Sequence, residues 1–263
     1  MTREDLRRES GVVLTLGRRA LTVQFRRAQL LMPTFVLPLM LLAVISSGTS
    51  AAQGLRGFPD VASYLGFVVP GTIIQGTILA GLTAGIALAS DIEFGFFDRL
   101  LTAPVPRTSL VLGRLCGTLG LAVLQTAFFL VVALLFGASY PGGVLGALAT
   151  IGLAAVTAVG MGGISAAIAL RTGSLSLLQS LFPFMFILLF TAPAFFPREL
   201  LHPFLREAAV YNPLTYVVEA VRGLLAGDAS LGNPWIGLLA ASVLTLATVA
   251  LSTYALKARL RTS

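Results

Sequence analysis

The chain has 263 residues, of which 56% are hydrophobic and only 11% charged, against about 25% charged in a typical soluble domain. With a mean hydropathy of +0.91, this composition excludes a soluble globular fold and implies an all-α membrane protein with several helical spans. The net charge of +7 flanks apolar segments, so it speaks for membrane topology and against nucleic acid as a partner.

Residues 1–29 hold seven arginines. Leu6, Val13 and Ala20 recur every seventh residue, as do Leu14, Leu21 and Ala28, while Arg7, Arg8, Arg18, Arg19 and Arg26 fall on another side. The pattern predicts an amphipathic helix lying in the interface, arginines toward lipid phosphates. A loose basic tail that only sets orientation is the plainer alternative. Leu30–Ile45 is the first span, kinked by Pro33 and Pro38. A basic region, an apolar core and small residues also fit a cleaved signal peptide, but the basic region is long for one.

Leu55–Asp60 reads as a polar loop and Val61–Ser90 as a charge-free second span. Asp91–Arg107 carries five charges among Phe, Leu and Pro. A charge at the centre of a spanning helix costs about 2.5–3.5 kcal/mol, so this stretch lies at the membrane surface. Thr108 and Ser109 are placed to cap the next helix. No charge then occurs between Arg114 and Arg171, and Ser139–Gly143 breaks that stretch into two spans. Arg171–Ser174 is a tight polar turn and Leu175–Ala192 a fifth span.

Phe195–Asp228 mixes charges with aromatics. Pro197 and Pro213 suit first helical turns, Asn212 a cap and Gly227 a stop, which predicts two short amphipathic, re-entrant helices at the far face. Pro234–Leu256 is the last span, with Trp235 at its interface. Six spans put both termini on one side. That side holds fourteen basic residues and the other four, so the positive-inside rule places the termini in the cytoplasm of a cell-membrane protein.

On a helix over Asp91–Thr102, Ile92, Phe96, Phe97, Leu100 and Leu101 share an apolar arc with Glu93 inside it, while Asp91, Asp98, Arg99 and Thr102 face away. Glu93 either pairs with an arginine of the N-terminal helix or snorkels to water. Gly95 is either a weak point or a place for close approach of a partner, and Pro104 and Pro106 end the helix. The only lysine is Lys257, so no GxxxxGK[ST] phosphate loop exists and ATP hydrolysis is not expected of this chain. One histidine, His202, and one cysteine, Cys116, make neither a metal cluster nor an internal disulfide. The spans hold no carboxylate, lysine or histidine, which argues against proton-coupled transport. Gln75, Gln125 and Gln179 either line a substrate path or bond helix to helix, and Gly160–Gly163 suits close helix packing.

The stretch Glu93-Phe-Gly95-Phe96-Phe97-Asp98-Arg-Leu-Leu101-Thr-Ala-Pro104 resembles the cytoplasmic element after the second span in permease subunits of the type-2 ABC exporters. Phe-Pro197 and Tyr-Asn212-Pro213-Leu-Thr resemble that family's segment before the last span. The match in topology and length extends over the whole chain, and the daunorubicin-type resistance permeases of actinobacteria look most similar. The resemblance implies a permease domain over 30–263, an interfacial helix over 1–29, a coupling element over 91–107 and an extracellular segment over 195–228. It implies coupling to a separate ATPase through Glu93, Gly95, Phe96, Phe97, Asp98, Leu101 and Pro104, and an outer gate at Pro197, Asn212 and Pro213. It further implies a second permease subunit, an ATPase dimer carrying the ATP and magnesium, and export of an amphiphilic or apolar cargo. A channel or a purely structural membrane subunit is the rival class.

Overall fold

In the computed structural model, residues 3–26, 28–48, 63–102 and 106–262 are described. The predicted loop Leu55–Asp60, Pro104, and the side chains of Arg3, Arg7, Arg8 and Arg27 lie outside them. The described residues form eleven α-helices and one 3-10 turn, with no strand among them. The helices are α1 (Arg3–Arg26), α2 (Ala28–Gly48), α3 (Tyr64–Glu93), α4 (Phe96–Leu101), α5 (Arg107–Leu135) and α6 (Gly143–Thr172). Then follow α7 (Leu175–Ser180), α8 (Phe182–Thr191), the turn Arg198–Leu200, α9 (Pro203–Tyr211), α10 (Pro213–Ala226) and α11 (Pro234–Thr262).

Among the described residues, four helices are long and apolar enough to cross a membrane: α3, α5 from Thr108, α6 and α11. The first predicted span is α2, whose axis turns by 70° from that of α1. The fifth predicted span differs from expectation. Leu175–Thr191 is broken at Leu181 into α7 and α8, because Pro183 has no N–H and crowds the carbonyl one turn before it. Its length, about 26 Å at 1.5 Å per residue, falls short of a hydrocarbon core of about 30 Å.

α3 is the axle of the bundle. Nearly all of its residues are buried, with α2, α5, α6 and α10 packed around it. Small residues set the spacing. A side chain at Gly81 would strike Met161, and one at Gly85 would strike Ser165, whose Oγ donates to the Gly81 carbonyl at 2.6 Å. On the other face of α6, Gly160 and Gly163 seat Thr245 and Thr248 of α11, and Thr245 Oγ1 donates to the Val156 carbonyl at 2.8 Å. The Gly160–Gly163 run therefore packs α6 within its own chain.

The elements sort to two ends. At one lie Ser63, the α5–α6 turn, the end of α10 and the start of α11; Gly142 N donates to Leu225 O at 2.9 Å there. At the other lie the end of α3, α4, the α6–α7 turn and the end of α11, where Arg259 Nη1 donates to the Leu170 carbonyl at 3.3 Å. Gly173 (φ 62°) ends α6 in the left-handed region and Ser174 caps α7. The expected Thr108–Ser109 cap is absent: α5 starts at Arg107 after Pro106, with no side-chain cap.

Candidate functional site

The expected surface element is not one helix over Asp91–Thr102. α3 runs on without a break through Asp91, Ile92 and Glu93, then stops at Phe94. Gly95 takes φ 70°, a backbone state that only glycine adopts without strain, and α4 starts afresh at Phe96. A Cβ at Gly95 would touch nothing within 4 Å. Within this chain Gly95 serves the turn, and the space beside it stays open. The turn interrupts the helix, yet the expected arc largely holds: Ile92 and Phe97 are buried, Phe96, Leu100 and Leu101 half-buried, and Asp98, Arg99 and Thr102 exposed, while Glu93 lies outside the arc and Asp91 is half-buried.

Three contacts hold this corner. Arg114 on α5 forms an ion pair with Asp91, both groups only partly exposed. Sequence reasoning missed this pair, although these residues are the last charge but one of α3 and the only charge of α5 past its first turn. The Arg19 guanidinium of α1 sits 4.3 Å over the Phe96 ring, a cation–π contact. Glu93 meets no arginine of α1 among the described residues: it is exposed, as the snorkelling alternative requires, and its Oε2 accepts the Leu175 N–H at 3.1 Å, at the start of α7. A carboxylate at a helix start meets an unsatisfied donor and the positive end of the dipole.

The other predicted coupling residues divide by burial. Phe97 is 2% exposed and belongs to the core; Phe96 and Leu101 are half-buried and Asp98 is exposed in the first turn of α4. Phe94, not singled out from sequence, is 77% exposed. It is the most exposed apolar side chain of the turn. Pro104 lies outside the described residues.

α1 docks on this corner, against α5. Val13, Leu16, Gly17 and Ala20 face Gly113, Cys116 and Gly117 of α5, and a Cβ at Gly117 would lie 2.8 Å from that of Ala20. Leu14 stays exposed. Between α1, the α3–α4 turn and α5 lies a cleft of about 280 Å³.

The three glutamines do not converge. Gln75 is buried beside Met185 and Leu189 of α8. Gln179 is exposed on α7. Gln125 donates to the Thr34 carbonyl of α2, the acceptor that Pro38, one turn on, cannot serve.

At the opposite end, Asn212 caps α10 by accepting the Leu214 N–H at 3.0 Å, and its Nδ2 donates to Leu188 O and Thr191 Oγ1 at 2.8 and 2.9 Å. Pro213 opens α10, while Pro197 is buried before the 3-10 turn. Arg222, 6% exposed, donates to the Pro193 carbonyl at 2.9 Å and stacks 3.9 Å over Phe67. Burial lowers its pKa to about 10, opposed by Glu219 one turn away.

A family model described as ABC-2 type transporter matches residues 12–226. The ycf38 transport permease of Porphyra purpurea is 30% identical over 200 residues, 75% of this chain and 68% of the relative. That of Pyropia yezoensis is 31% identical over 202 residues, 76% and 69% of the two chains. The daunorubicin resistance ABC transporter permease protein DrrB1 of Streptomyces coeruleorubidus is 28% identical over 172 residues, 63% and 59%.

Proposed function

Because the chain belongs to the ABC-2 type transporter family, we propose that it is the membrane half of an ATP-driven exporter, moved by a separate ATPase. The family makes it a polytopic membrane transport component of an ABC transporter with an ATPase partner. ATP and magnesium belong to that partner, and two permease chains sit side by side above an ATPase dimer. α2 and the broken pair α7–α8 complete six spans, the buried stretch Ala192–Phe195 adding the length that the pair lacks, both termini and α4 face the cytoplasm, and the membrane is the cell membrane.

The observation that carries this reading is the α3–α4 corner. A six-residue helix, set off by a left-handed glycine, is tied to α1 through Arg19 on Phe96, and the end of α3 from which it hangs is tied to α5 through Asp91 and Arg114 and to α7 through Glu93. A push on Phe94, Asp98 and Leu101 is thereby shared among three helices, and packed helices respond by shifting between discrete arrangements. A channel or scaffold has no use for such a corner. The apolar crevice of about 580 Å³ beside Leu39, Tyr64, Val132 and Phe136 suits an amphiphilic or apolar cargo. Gln75 and Gln179 are the remaining polar candidates for its path, and the Asn212–Pro213 corner with Pro197 for the outer gate.

The test is cross-linking in cells, extraction in mild detergent and mass spectrometry. An ABC-type ATPase at one copy per permease is expected. A cross-linked preparation without one would overturn the exporter reading in favour of the channel or structural class.

A further inference from the structure

We propose that the cleft between α1 and the α3–α4 corner holds the headgroup of an anionic phospholipid that carries a hydroxyl, as phosphatidylglycerol does. The walls are apolar: Leu16, Ala20 and Val23 on α1 face Leu88, Phe94 and Leu110. Three charged side chains line it, Arg19, Asp91 and Arg114. Arg114 and Asp91 neutralise each other. Arg19 rests on the Phe96 ring and has no carboxylate partner among the described residues, so the cleft keeps one uncompensated positive charge.

The second observation is Gln24. It lines the same cleft, is 4% exposed, and its Oε1 takes no hydrogen bond. A buried amide oxygen without a partner is costly, and native structures seldom keep one without a reason. Rotating the carboxamide exchanges its acceptor and donor ends, and a hydroxyl can pair with either.

These features select one chemistry. A phosphate answers Arg19 by a charge-assisted hydrogen bond, a headgroup hydroxyl answers Gln24, and the glycerol and first methylenes answer the apolar walls. A choline headgroup lacks the hydroxyl, and a free phosphate lacks the apolar part. A lipid seated here bridges α1 and the α3–α4 turn. The site concerns a resident lipid and does not depend on the exporter reading.

The test uses the full chain purified in a neutral detergent, titrated with dioleoylphosphatidylglycerol, dioleoylphosphatidylcholine and inorganic phosphate under native mass spectrometry. One phosphatidylglycerol per chain is expected, held about tenfold more tightly than phosphatidylcholine and not displaced by phosphate. Arg19→Gln and Gln24→Leu each weaken it about tenfold, while Arg18→Gln, outside the cleft, leaves it unchanged. Equal affinity for the two lipids, displacement by phosphate, or unchanged binding by Arg19→Gln overturns the proposal. If Gln24→Leu fails to assemble, Gln24→Glu takes its place: it keeps the shape and repels the phosphate, and wild-type binding by it is equally fatal.

Discussion

Gln125 shows how one side chain mends a broken backbone. Pro38 cannot donate to the Thr34 carbonyl, and Gln125 reaches across from α5 to do so. Gln125→Leu should cost about 1 kcal/mol, in the range of interhelical bonds in membranes. Pro38→Ala restores the missing N–H, so the same substitution should cost less in that background. A double-mutant cycle in detergent unfolding measures the difference, and simple additivity would refute the link. Glu93 offers a second case. Glu93→Gln keeps an acceptor for the Leu175 N–H, whereas Glu93→Ala leaves that helix start unanswered. With assembly intact, ATP-driven transport should fall further for the alanine than for the glutamine. Equal, full activity for both would remove Glu93 from coupling.

Between elements, the seam of α1 on α5 is the most testable. Gly117→Val places two methyl groups where Ala20 already sits, and overpacking of this kind costs about 1–3 kcal/mol. Limited trypsin digestion should then cut faster after Arg18 and Arg19. Gly11→Ala makes the opposite control. A Cβ there meets nothing within 4 Å, and the helix gains about 1 kcal/mol, so cleavage should slow. The same elements show what a sequence discloses. The hairpin at Ser139–Gly143, the Asn212 cap and the Gly227 stop were legible because each rests on local chemistry. The break before α8 was equally local, marked by Pro183, but apolar length hid it. The Asp91–Arg114 pair and the seat of α1 on Gly113 and Gly117 were not legible, since both join segments far apart in the chain. Glu93 was singled out as a group needing a partner, yet its partner is a backbone N–H that no residue type announces.

Across the whole molecule, the two ends make topology the decisive measurement. On a Cys116→Ser background, Arg198→Cys should react with a membrane-impermeant maleimide from outside the cell and Arg171→Cys should not. Labelling of both from outside would dismiss six spans, because the α6–α7 turn and the Pro197 corner would then share a face. The enclosure of α3 has a further consequence. Its neighbours wall it off from lipid, while α5 and α11 present Leu124, Val131, Leu239 and Leu246 outward. Bilayer thickness can therefore act only on the outer staves of the barrel and never on its axle. Lengthening or shortening the acyl chains should tilt α5 and α11, while the seam between Gly81 and Met161 keeps its register in thin and thick membranes alike.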